Sequence, residues 1–222
     1  MSPRHTLADV SATPAASRPR RGRGRPRGGG APAATRERIV AAASELFAER
    51  GFHATPMTAV AEASGLSQTG LLHHFPSKEV LLAEVLEQRD IRDLAAMSER
   101  HGGAARGWEV LDDMVDLVRT NAGREGFVRL FTSLAGEAVD PAHPGHEWLG
   151  RHHAAAVAAI TTALGEAVED GHADPDLPAA GIARQVIALM DGLQLQWLMD
   201  PQVDMAAHVA DYVATVRARW GR

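Results

Sequence analysis

The sequence predicts an all-α fold. From Thr35 onward apolar residues recur three and four apart, which is the helical period. Alternation of β-branched residues at period two is nowhere sustained. Ser, Thr, Gly and Pro fall where such helices would start and stop. Three segments follow: a basic arm over 1–34, a three-helix unit over 35–78, and a larger helical body over 79–222, with about nine helices in all.

Residues 1–34 are rich in Ala, Pro, Gly, Ser and Arg and hold almost nothing that could form a core, so they are expected to be disordered. The first helix is expected over 36–50, with Thr35 as N-cap and Gly51 as the stop; Ile39, Ala43, Leu46 and Phe47 share a face. A short second helix follows Thr55, with Pro56 in its first position, where a missing N–H costs nothing. It ends at Gly65. Ser67 caps a third helix over 68–74, Pro76 breaks it, and Ser77 caps a fourth over 78–100. Further helices are expected over 108–121, 127–139, 147–170, 178–199 and 205–220, separated by Gly- and Pro-containing loops.

The formal net charge is −5, but it is unevenly spread. Residues 1–34 carry seven Arg against one Asp, 35–78 are balanced, and 79–222 carry a net −11. A basic end on an acidic body fits a chain whose N-terminal end meets a polyanion. There is no Cys, which removes disulfide frameworks, thiolate metal sites and thiol nucleophiles. No apolar run reaches the ~18 residues of a membrane span, and no apolar stretch follows the N-terminal arginines as a signal peptide requires. A soluble, cytoplasmic protein is expected.

The stretch 55–78, TPMTAVAEASGLSQTGLLHHFPSK, places two short helices on either side of a tight turn, Ser64-Gly65-Leu66-Ser67. Gly65 permits the positive φ that turn needs. Leu66 plugs the angle between the helices, and Val60, Ala61, Leu71 and Phe75 face inward. That is a helix-turn-helix, whose second helix enters the major groove of DNA. The bland alternative is a plain packing unit with His74 in its core.

The spaced set Phe47, Gly51, Phe52, Thr55, Thr58, Val60, Ala61, Gly65, Ser67, Leu71, His74, Phe75, Ser77, Lys78 and Leu82 resembles the TetR family of bacterial regulators. The resemblance implies that the third helix reads bases. On this chain Gln68, Thr69 and Gly70 then lie at its exposed start, with Ser67 as cap and His73 and His74 after them. Gln68 can grip an adenine edge and Thr69 a polar edge or a thymine methyl. Thr58 and Lys78 become phosphate clamps. The family often has Tyr where Leu72 stands; Leu72 cannot donate to a phosphate, which leaves that contact to His73.

The arm contains RRGRGRPR at 20–27, and its Arg23-Gly24-Arg25-Pro26 resembles an AT-hook core. An extended Arg-Gly-Arg suits the narrow minor groove, where Arg23 and Arg25 would lie. The alternative is a non-specific basic tail that only steepens salt dependence.

In the body, the helices at 147–170 and 178–199 are apolar on more than one side, which implies a partner surface. The resemblance implies a homodimer formed by these two helices, reading a palindromic operator of double-stranded DNA. It also implies a cavity for a small hydrophobic or amphipathic effector, with Trp108, Met114, Leu117, Phe127, Phe131, Trp148, His152 and Trp197 as candidate lining residues. Ordinary core packing is the alternative for each. His143, His146, His152 and His153 cluster beside Glu147, but in no known zinc spacing, so no metal is expected. No catalytic constellation or cofactor motif stands out. Two functions remain: a specific regulator, a repressor by family default, released by an effector, and an architectural protein of AT-rich DNA. The palindromic footprint of the first distinguishes it from the extended coverage of the second.

Overall fold

The computed structural model describes residues 32–222 as nine α-helices joined by short loops, with no strand among the described residues. They are α1 Pro32–Arg50, α2 Met57–Ala63, α3 Gln68–His74, α4 Lys78–His101, α5 Glu109–Ala122, α6 Glu125–Glu137, α7 His146–Glu169, α8 Ala179–Met199 and α9 Met205–Trp220. The predicted order holds, with boundaries moved by a few residues. Two N-termini are corrected. The first helix already begins at Pro32, so Thr35 is a buried residue inside it and not its cap. Pro56 sits in the cap position itself, in extended conformation, one residue before α2.

Two apolar cores hold the molecule together. The first gathers Ile39, Val40, Ala43 and Phe47 of α1, Val60 and Ala61 of α2, Leu71 of α3 and Phe75, then Leu81, Leu82, Val85 and Leu86 of α4. It does not stop there, because Leu130, Phe131 and Leu134 of α6 and Trp148 and Leu149 of α7 belong to it. The second core is made by α5, the later part of α7, α8 and α9, around Leu111, Ile160, Leu164, Val186 and Val209. The apolar division of the chain therefore does not fall at residue 78.

The contact of α6 with α1 is unusually close. A Cβ on Gly126 would lie 2.9 Å from the Ala48 carbonyl carbon and overlap its oxygen, so only glycine lets the two backbones meet. At the far end of α6, Glu137 pairs with His53 at 3.0 Å. No described helix is long and apolar enough to cross a membrane.

Candidate nucleic-acid interface and effector region

The helix-turn-helix keeps one edge of α3 free. Ser67 caps the helix, its Oγ accepting the Gly70 N–H at 3.1 Å. A Cβ on Gly70 would sit 3.3 Å from that Oγ, so the glycine keeps the cap uncrowded. Gly65 takes the predicted left-handed conformation, φ 70°, and Leu66 packs on the core. Leu71 and Phe75 are fully buried, which fixes the roll of α3. That roll leaves Ser67, Gln68, Thr69, Leu72 and His73 exposed, together with Thr58 on α2. Gly70 and His74 are half-buried at the rim, and the His74 ring stands edge-on to His73 at 5.9 Å.

Polar locks hold the edge in place. Thr55 is buried, and its hydroxyl donates to the Gly51 carbonyl at 2.8 Å or the Leu46 carbonyl at 3.2 Å, tying the end of α1 to the start of α2. The buried Ser64 hydroxyl donates to the Val60 carbonyl at 2.7 Å. Arg36, which the sequence marks only as the start of the first helix, joins three elements. It donates to the His74 carbonyl at 3.0 Å, pairs with Glu84 of α4 at 2.6 Å and lies 4.2 Å over the Phe75 ring. No local sequence signal marks an arginine whose partners lie 38 and 48 residues away.

Lys78 is a correction. Its ammonium, expected on a phosphate, donates instead to the carbonyls of Phe52 at 2.9 Å, Thr55 at 3.2 Å and His53 at 3.3 Å, and sits over the Phe52 ring. Its donors are spent on closing the turn between α1 and α2. Beside it, the carboxyl of Glu79 is held below its usual range by its own backbone N–H and by Ser77, as expected at a capped helix start. Arg23 and Arg25 lie outside the described residues.

The exposed edge is mostly polar. α3 reads QTGLLHH and carries neither Lys nor Arg. It can offer hydrogen bonds to base edges, but little of the long-range attraction that phosphates require.

The eight proposed lining residues divide between the surroundings of the two cores. Trp108, Met114, Leu117 and Trp197 pack against the second core. Trp108 there donates its indole N–H to the His172 carbonyl at 3.1 Å and anchors the α7–α8 loop, while Trp197 borders an open groove of about 520 Å³ with Val203 and Ala206. Phe127, Phe131 and Trp148 belong to the first core. His152 joins them, stacked on Trp148 at 5.0 Å and edge-on to Phe131 at 5.5 Å. The family resemblance groups these residues; which way each helix is rolled is a tertiary property. Among the described residues no three His, Asp or Glu side chains are placed to hold a metal ion. His152 pairs with Asp90, His153 with Asp191 and His143 with Glu137.

The helices α7 and α8 each keep an exposed side of small residues. On α7 it includes Gly150, Ala154, Ala158 and Thr162; on α8 it includes Ala188 and Gly192, bordered by the exposed side chains of Arg184, Leu195 and Met199.

Comparison with known proteins agrees with this geometry. Residues 39–85 match the family profile of bacterial regulatory proteins of the tetR family. Residues 108–218, half of the chain, match that of the BetI-type transcriptional repressor C-terminal domain. The transcriptional regulator UidR of Escherichia coli is 27% identical over 187 residues, spanning 84% of this chain and 91% of UidR. Among solved structures, GusR of Salmonella enterica superposes with a TM-score of 0.65 at 23% identity, covering 84% of this chain and 97% of GusR. FadR of Bacillus subtilis, solved in complex with stearoyl-CoA, superposes with a TM-score of 0.68 at 17% identity, covering 81% of this chain and 96% of FadR. A helix-turn-helix with a free polar edge, an all-helical body and profile matches to both parts have one reading: the chain belongs to the TetR family of DNA-binding transcriptional regulators.

Proposed function

We propose that the protein is a cytoplasmic homodimeric repressor that grips a palindromic operator and releases it when a small amphipathic effector binds the body. It acts by binding and not by catalysis. The observation that carries this reading is the exposed edge of Ser67, Gln68, Thr69 and His73 on a locked head. Gln68 and Thr69 read bases, and Thr58 and His73 hold phosphates on either side. The head from 35 to 78 is charge-balanced, so the seven arginines of the arm supply the attraction to the duplex, with Arg23 and Arg25 in an adjacent minor groove. The exposed small-residue side of α7 and α8 supports pairing with a second copy, which brings two heads onto successive major grooves. That FadR, of the same fold, holds stearoyl-CoA supports an effector in the body.

Selection of bound sequences from a random duplex pool tests the reading. A short inverted repeat is expected. Gln68→Ala with Thr69→Ala should then cost about 1–3 kcal/mol per lost base contact and relax the preference at those positions. Removing residues 1–30 should weaken binding to all duplexes and flatten its salt dependence. Uniform, weak binding to every duplex, unaffected by the two alanines, would overturn it.

A further inference from the structure

The free edge of α3 is interrupted at one place by a large apolar side chain. Leu72 is 39% exposed and, among the described residues, packs against neither apolar core. The roll that buries Leu71 and Phe75 completely turns Leu72 outward. It shares the exposed edge with Gln68, Thr69 and His73. At about 100° per residue it lies about 40° round the helix from Gln68 and about 60° from Thr69, and its Cα is about 6 Å further along the axis than that of Gln68. Gly70, nearly opposite Leu72 on the helix, adds no side chain there.

A single exposed leucine is ordinary on most surfaces. Here it stands among hydrogen-bonding groups on the face that meets the duplex, so what it would touch there can be worked out. A phosphate offers only charged oxygens, and leucine has no donor for them. Pressing leucine on a phosphate would strip water from the charge with no hydrogen bond in return. In the major groove the base edges present donors and acceptors, with one apolar group among them, the C5-methyl of thymine. Base pairs are stacked about 3.4 Å apart, so an axial step of about 6 Å corresponds to one or two base pairs.

We propose that Leu72 is a specificity residue of the reading helix: its side chain seats on the C5-methyl of a thymine one or two base pairs from the base gripped by Gln68. This rests on the operator reading above and adds to it an apolar contact that selects thymine by its methyl group. Thr69 is then left to the polar edge between the two.

Operators selected from a random duplex pool by the full chain test the proposal. Each thymine is replaced in turn by deoxyuridine, which removes the methyl and keeps the base pair. At one thymine position, one or two base pairs from the position where Gln68→Ala relaxes selection, the replacement should weaken binding about fourfold per half-site, the worth of one buried methyl group, and about fifteenfold when made in both half-sites. Leu72→Ala should bind the thymine and uracil operators alike at that position and keep the preference set by Gln68. Leu72→Met, which keeps an apolar reach, should still prefer thymine. If Leu72→Ala loses its helical circular dichroism, Leu72→Gln, of similar size, decides in the same assay by losing the preference. The proposal is overturned if no thymine position responds to loss of its methyl, or if the response survives in a folded Leu72→Ala or Leu72→Gln variant. A pool that yields no preferred sequence defeats the operator reading and this inference with it. A selected inverted repeat that is indifferent to the methyl defeats this inference alone.

Discussion

The inner part of α4, residues 78–86, buries Leu81, Leu82, Val85 and Leu86, whereas the outer part, 87–101, buries no apolar side chain and leaves Ile91 50% and Leu94 63% exposed. The inner part is continuous with the core of the helix-turn-helix. The outer part is held by polar pairs: Arg89 to Asn121, Asp90 to His152, Asp93 to Arg124, Arg100 to Asp113 and Asp116, and His101 to Asp113. Close packing resists small displacements, while polar pairs can be exchanged for others of similar energy. One helix thus has an end that must move with the DNA-reading head and an end whose polar partners can be exchanged. Such a helix can pass a population shift from the body to the head.

The sharpest way to break this comparison is to truncate a side chain in each part. Leu82→Ala should cost about 2–5 kcal/mol, through lost transfer energy and the cavity left behind. In a chain of this size that is a fall in Tm of roughly 5 °C or more. Leu94→Ala, at a position 63% exposed, should cost less than about 1 kcal/mol. Thermal unfolding of both variants checks the contrast, and equal losses would show that the outer part is packed as firmly as the inner one.

A second variant probes the other attachment of the head, where α6 meets α1. Gly126→Val should destabilise by about 1–3 kcal/mol, because the colliding group is the Ala48 backbone and cannot rotate away. Gly136→Val, on the same helix with open space around it, should change stability by well under about 1 kcal/mol, because valine is no poorer a helix former than glycine. Denaturant titration of the pair separates backbone collision from propensity. It also tests whether the head is held by α6 as well as by α4.

What the sequence made legible was local. The order of the helices, the caps at Ser67 and Ser77, the left-handed Gly65 and the buried set Val60, Leu71 and Phe75 all follow from spacing and turn chemistry within a few residues. The exposed edge from Ser67 to His73 follows from them. What it hid was non-local. Lys78 is drawn to carbonyls 23 to 26 residues upstream, and Arg36 reaches across two helices to Glu84. The aromatic residues of the body divide between two cores because of helix roll, which no periodicity encodes. Gly126 did carry a signal, since a lone glycine in a helical run often marks a close backbone approach.

A smaller effect sharpens the contrast at the inner end of α4. Ser77 Oγ accepts the Val80 N–H at 3.2 Å, so Ser77→Ala should cost about 1 kcal/mol of helix-cap energy. Ser98→Ala in the last turn removes an exposed hydroxyl and no cap, and should leave Tm within error. Equal falls for the two serines would show that the cap contributes nothing to anchoring the helix.

The smallest expected effect lies at the outer end and depends on pH. The hydrogen bond to Asp113 raises the pKa of His101; the nearby carboxylates Asp113 and Glu109 favour the imidazolium, while partial desolvation and Arg100 oppose it. Asp113 is buried, which makes it a firm acceptor. A histidine whose pKa is higher folded than unfolded stabilises the protein fully below the unfolded value, about 6.5, and loses that contribution as pH rises through the folded value. His153, raised by Asp191, works in the same direction on α7. Wild type should therefore exceed His101→Gln in Tm most clearly at about pH 6, with the gap narrowing as pH passes above the folded value. A gap that stays constant across that range would mean that this pair does not titrate as a link between the helices, and the outer part of α4 would then be held by its other polar pairs.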